Sequence, residues 1–301
     1  MKSSAAAART SVLSRRWRRV WAGLPELVLG DDLISIHHGA SFLDAVDDAL
    51  AGYSAPHVHG LEITVTHDAP AHRIASWLGF ASRRLAGVFR LDVHPSGQGE
   101  SSSLALLEIE ELELPPCEHA TGIVLCLLGS HFLLRLPPPA GTFAALADLE
   151  IMTLATVEGR ALEALVSTQC PRLRKLKLRG LTLVTASDVS LRSGTLQHLT
   201  FHVQDTLRLY VSAPALQVLQ LESNADDIYV AAQSLAEVVW ASRCPHFVFA
   251  NAGSHLRRLE VRRRDAMAPL LWRFSSVDEL RLTMQLQLHL LIVRHIPCID
   301  Y

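Results

Sequence analysis

Apolar residues recur along the chain in one short figure: apolar, two residues, apolar, one residue, apolar. It stands as Leu146-Leu149-Ile151, Leu173-Leu176-Leu178, Leu196-Leu199-Phe201 and Leu216-Leu219-Leu221. It returns as Leu235-Val238-Trp240, Leu256-Leu259-Val261 and Val277-Leu280-Leu282. The central members follow one another at about 19–27 residues. Polar residues separate the last two positions of most copies, as along a strand with one buried face. Looser copies stand earlier, as Val58-Leu61-Ile63, Val88-Leu91-Val93 and Leu104-Leu107-Ile109, and the run "GIVLCLLG" at 122–129 has the length of a buried strand. Helical spacing falls between some of them. Ser41 is a candidate N-cap for "FLDAVDDALAGY", whose Phe42, Leu43, Val46, Ala49 and Leu50 recur three to four apart. "AHRIASWLGFASRRLAGV" and "GRALEALVSTQCP" read the same way, the second stopped by Pro171. Toward the C-terminus the connections shorten and lose the helix.

A period of roughly 20–29 residues with an L-x-x-L-x-L strand is the signature of leucine-rich repeats. One such unit cannot bury its own apolar face, whereas stacked units build a continuous sheet and core. The fold class is therefore α/β: a solenoid with a curved parallel sheet, and with helices and irregular turns on its outer face. The leucines are core residues and carry no function. Function falls to the alternate positions, which point out of the sheet and line one shared face. Lys175, Lys177 and Arg179 are such a set, followed by His198, Thr200 and His202, then Val218, Gln220 and Glu222. Arg258, Glu260 and Arg262, then Glu279, Arg281 and Thr283, complete it. The candidate binding residues on this expected concave face are Lys175, Lys177, Arg179, His198, His202, Gln220, Arg258, Arg262 and Arg281. The outward residues of "LRKLKLR" and "LRRLEVRRR" are net basic, and an ordinary solvated face is the competing reading. "PSGQGESSS" (95–103) reads as a mobile loop, and "LPPPAG" (136–141) as a rigid connector.

Composition narrows the classes. The chain has 301 residues, 49% of them hydrophobic, which is ample for a folded core. Its formal net charge is -2, so the protein as a whole does not attract a polyanion. No apolar run reaches the ~18–20 residues of a membrane span. The five cysteines are scattered and odd in number, which speaks against a disulfide framework or a zinc site and for a reducing compartment. The N-terminus lacks the apolar stretch of a secretory signal, so the cytoplasm or nucleus is the expected location. No phosphate loop, nucleophile elbow or His-Glu-x-x-His helix is present. His37-His38 and His57-x-His59 are the tightest histidine pairs and lack Cys or carboxylate partners at ligand spacing. Asp44, Asp47 and Asp48 read as a solvated helix face, Asp226-Asp227 as a turn, and Cys170 as a small buried hydrophobe. No catalytic, metal or cofactor site is identified, and an enzyme is not expected.

The N-terminal stretch "ARTSVLSRRWRRVWAGLPELVL" is acid-free up to Glu26. Its residues alone allow a basic nucleic-acid or transport tag, a transit peptide, or a small helical module. For the last, Val12, Leu13, Trp17, Val20 and Trp21 share one helix face. The stretch closely resembles the C-terminal half of a plant F-box, where Val-Leu-Ser-x-x-Trp-x-x-x-Trp precedes a Leu-Pro strand entry. Later phrases such as "CPRLRKLKLRG", "LRSGTLQHLTFHV", "APALQVLQLES" and "AGSHLRRLEVR" resemble the same family, the plant F-box proteins with leucine-rich repeats and an FBD region.

The resemblance implies a substrate receptor of a Skp–cullin–F-box ubiquitin ligase. Val12, Leu13, Trp17, Val20, Trp21 and Pro25 would then contact the Skp adaptor, and the repeat face would hold a protein target. The family's Leu-Pro-Asp opening is replaced here by "MKSSAAA", and "MQLQLHLLIVRHIPCIDY" (284–301) departs from the FBD region. The expected organisation is a partial F-box at 1–28, a repeat solenoid at 29–283 and an atypical tail at 284–301. The alternative is an uncoupled interaction scaffold without ligase activity. An organelle-targeted repeat protein and a nucleic-acid binder are further readings, the latter opposed by the balanced charge and the lack of an aromatic platform.

Overall fold

The computed structural model describes residues 23–31, 42–94, 110–138 and 142–283. Its frame is a run of parallel strands: β1 (Glu26–Gly30), β2 (Val58–Val65), β3 (Leu85–Val93), β5 (Gly122–Arg135) and β6 (Asp148–Val157). It continues through β7 (Lys175–Arg192), β8 (His198–Ser212), β9 (Val218–Leu221), β11 (Glu237–Trp240), β13 (His255–Val261) and β14 (Ser276–Leu282). Every pairing is parallel, and the sheet is open, with β1 and β14 as its edges. This is the α/β repeat solenoid that the period implies.

The repeat sets the register. Ile123, Leu149, Leu176, Leu199, Leu219, Val238, Leu259 and Leu280 face one another strand by strand, and Leu27, Leu61 and Phe89 extend the ladder toward β1. All but Leu280 are essentially buried. Leu280 and Leu282 are half exposed because β14 has no further strand beside it among the described residues. Ahead of the strands the backbone repeats the same step: Arg174 N donates to Ala147 O, Gln197 N to Arg174 O, Gln217 N to Gln197 O and Ala236 N to Gln217 O, at 2.8–2.9 Å. One loose copy is misplaced in the sequence reading. Val88 is exposed, and the core positions of β3 are Phe89, Leu91 and Val93, so that unit pairs through Phe89. The Leu104-Leu107-Ile109 copy and the 95–103 segment lie outside the described residues.

Helices stand within the three segments of 3–4 spacing, but "LAGV" (85–88), read as helical, opens β3, and a further helix, Arg264–Arg273, stands where the connections are expected to lose the helix. α1 (Phe42–Ala51) buries Phe42, Leu43, Val46 and Leu50, and α2 (Ala71–Arg84) buries Ile74, Trp77, Leu78 and Ala81. Asp44 and Asp47 of α1 are not merely solvated. They pair with Arg73 of α2 at 2.6 and 2.7 Å, and Asp47 also accepts the indole N–H of the fully buried Trp77 at 2.7 Å. α3 (Gly159–Ala164) passes into a single π-helical turn (Leu165–Gln169) before Pro171, and α4 (Arg264–Arg273) precedes β14.

Between Glu110 and Ala250 strands take much of the outer face, where irregular turns and a single helix are expected. β4 (Glu110–Glu113), the C-terminal parts of β5 to β8, β10 (Asp227–Ala231) and β12 (His246–Ala250) pair in a second parallel series. The reason is the local period. "TLRLYVS", "DIYVA" and "HFVFA" alternate every second residue, a strand pattern, with Leu209, Val211, Ile228, Val230 and Phe249 buried. Both series send their inner residues into one continuous core. The chain turns from the first series to the second at tight corners. In β7 Gly180 takes φ 74°, where a Cβ would lie 2.7 Å from the Thr153 carbonyl oxygen. In β8 Asp205 takes φ 59°. Asp227, expected in a turn, is instead the first residue of β10.

Candidate protein-interaction face

The outward residues of the first strand series form two registered lines. One runs Glu62, Arg90, Val124, Glu150, Lys177, Thr200, Gln220, Val239, Glu260 and Arg281. The other contains Thr64, Asp92, Cys126, Met152, Arg179 and His202. All nine candidate binding residues project from this series outside the core. Arg179, His198, Arg262 and Arg281 are exposed, and Lys175, Lys177, His202, Gln220 and Arg258 are half-buried. Arg179, His202, Gln220 and Arg262 come together with Thr200, Glu222, Val239 and Ala241 around a concavity of about 150 Å³. Within it Thr200 donates to Gln220 Oε1 at 3.2 Å. Lys175, His198 and Arg258 belong to the line one step toward the strand starts.

The basic excess read from "LRKLKLR" and "LRRLEVRRR" is largely balanced in three dimensions. Lys177 pairs with Glu150 of the preceding strand at 3.0 Å, and His202 Nδ1 lies 4.0 Å from Glu222. Arg257 pairs with Glu237, and Arg281 with Glu279 at 2.5 Å. Glu260, itself buried, is held between Arg258 and Arg262, each at 2.8 Å. Burial pushes that carboxyl up, but the hydrogen bonds and charges of the two guanidiniums outweigh it and leave it below the usual range. Lys175 and Arg179 have no carboxylate at ion-pair distance among the described residues. The face is a mosaic of both signs.

Of the residues assigned to adaptor contact, Val12, Leu13, Trp17, Val20 and Trp21 lie outside the described residues. Pro25 is exposed, and its carbonyl receives the His59 and Gly60 amides at 2.7 and 3.3 Å. His57 and His59 are exposed; His37 and His38 lie outside the described residues. Cys170 is buried in the core, as expected of a small hydrophobe. Asp92, His94 and Cys126, never grouped by sequence spacing, meet farther along the same face. Their only sequence signal was the Asp-x-His pair on one strand face.

An open parallel sheet built from registered L-x-x-L-x-L units defines a leucine-rich-repeat solenoid. Comparison with known proteins agrees. The chain is similar to two Arabidopsis thaliana F-box/FBD/LRR-repeat proteins, 25% identical over 72% of this chain and 27% identical over 71% of it. An F-box protein of the same plant is 34% identical over 80 residues, 27% of this chain and 24% of its own length. The chain spans about half the length of the two longer matches, 49% and 45%. No family model matches, and no solved structure matches. The plant F-box/FBD/LRR-repeat family is thus the one this chain is similar to. Among the described residues no helix is long and apolar enough to cross a membrane.

Proposed function

We propose that the chain is the target-binding receptor of a Skp–cullin–F-box ubiquitin ligase. The first-series face holds a protein target, and the segment around Trp17 and Trp21 docks on a Skp-type adaptor. The observation that carries the reading is the mosaic face around Arg179, His202, Gln220 and Arg262, on a repeat scaffold similar to F-box/LRR proteins. Such a receptor performs no bond chemistry. It raises the local concentration of a target beside a separately bound conjugating enzyme. The work is done in the cytoplasm or nucleus.

The test is retention of residues 1–301 on a purified Skp-type adaptor. Wild type is retained, and the Trp17→Ala/Trp21→Ala double variant is not. An Arg179→Glu/Arg262→Glu variant keeps the adaptor and loses the proteins cross-linked to the face. No retention of wild type would overturn the ligase reading and leave an uncoupled repeat scaffold.

A further inference from the structure

The four described cysteines are all buried, but they are not equivalent. Cys117, Cys170 and Cys244 belong to the apolar core. Cys126 does not, because its neighbours Leu125 and Leu127 take the inward positions and leave it on the outward side of β5. There it stands directly opposite Asp92 of β3 in the parallel register. His94, two residues beyond Asp92, lies on the same strand face. Cys126 Sγ is 3.8 Å from His94 Nδ1, and the nearest ligand atoms of Asp92, His94 and Cys126 all lie within 4.8 Å of one another.

These distances are close to what a tetrahedral ion needs. Zinc bonds of roughly 2.0–2.3 Å set neighbouring ligand atoms about 3.4–3.6 Å apart. The thiol–imidazole pair is already almost there, and the carboxylate has at most about 1.3 Å to close. The donor set selects the ion. Calcium and magnesium require oxygen ligands, whereas a thiolate, an imidazole and a carboxylate together suit zinc. The two supporting strands are internal to the sheet, so the backbone beneath two of the ligands is fixed by pairing on both sides.

We propose that Asp92, His94 and Cys126 form a zinc site on the outward face of β3 and β5. Three protein ligands leave the fourth position to water or to a side chain of a protein lying on that face. Arg90, 3.8 Å from the Asp92 carboxylate, is the cation that zinc displaces. The site stands or falls independently of adaptor binding.

The experiment uses the full chain, stripped with chelator and titrated with Co²⁺ as a spectroscopic probe, then with Zn²⁺ as competitor. The expected result is one equivalent of Co²⁺ with a thiolate charge-transfer band and tetrahedral visible absorption, both removed by Zn²⁺. Cys126→Ser loses the charge-transfer band. Asp92→Asn and His94→Gln weaken binding by about 100-fold or more, at or above the loss caused by removing a mere supporting partner. His59→Gln, an exposed histidine elsewhere, changes nothing. Should Cys126→Ser fail to fold, the Asp92→Asn and His94→Gln variants, at half-buried positions, decide. Absence of a thiolate band in wild type, or wild-type affinity in His94→Gln, overturns the proposal.

Discussion

Replacing Gly180 with alanine tests the corner that lets one strand serve both series. The backbone there has φ 74°, a left-handed conformation that costs an L-residue about 1–2 kcal/mol. The new methyl would also stand 2.7 Å from the Thr153 carbonyl oxygen, a backbone atom that can retreat only by disturbing the β6–β7 pairing. Overpacking of that kind costs roughly 1–3 kcal/mol. Loss of glycine's freedom in the unfolded chain returns about 0.4–1 kcal/mol. The net expectation for Gly180→Ala is a destabilisation of about 1–4.5 kcal/mol, read from urea unfolding followed by far-UV circular dichroism at unchanged m-value. Gly180→Asn separates the two causes, because asparagine tolerates the left-handed region yet carries the same Cβ. It should lose about half as much. Asp205→Gly, at an exposed left-handed position, should stay within about 0.5 kcal/mol of wild type. A Gly180→Ala protein within about 0.5 kcal/mol of wild type would refute the reasoning.

Two further outcomes follow from buried polar groups. Asp47→Ala strands the indole N–H of Trp77 in the core and should cost about 1–3 kcal/mol, while Asp47→Asn keeps an acceptor and should cost clearly less. Equal losses in thermal unfolding would assign the effect to the charge facing Arg73 instead. Glu260 has a depressed carboxyl pKa in the folded state, so its stabilising contribution is complete above the ordinary glutamate value of about 4.3 and disappears as pH falls through the lower folded value. The stability gap between wild type and Glu260→Gln should therefore narrow steadily below about pH 4. A gap that stays constant down to pH 3 would sink the assignment.

The candidate face was legible in part. Side-chain alternation along each strand was enough to set Lys177, Arg179, His202 and Gln220 outside the core, because parity needs only one leucine of known direction. Their electrostatic character was not legible. Glu150 and Lys177 are far apart in sequence and meet only because stacked units bring equivalent positions side by side. Local sequence windows misjudged a net charge that the neighbouring repeats supply.

The sequence by itself determined the architecture of the core. A recurrent L-x-x-L-x-L unit has one way to bury its leucines, so successive copies fall into register from Leu149 to Leu280 although their spacing varies. Only the tertiary structure decided what the second half of each repeat became. Short alternating segments such as "DIYVA" are too weak to stand as strands alone, and they became a second series because β8 and β12 flank β10 on both sides. The same stacking brought Cys126 opposite Asp92, a juxtaposition set by register across a gap in sequence and therefore invisible to any reading of local spacing.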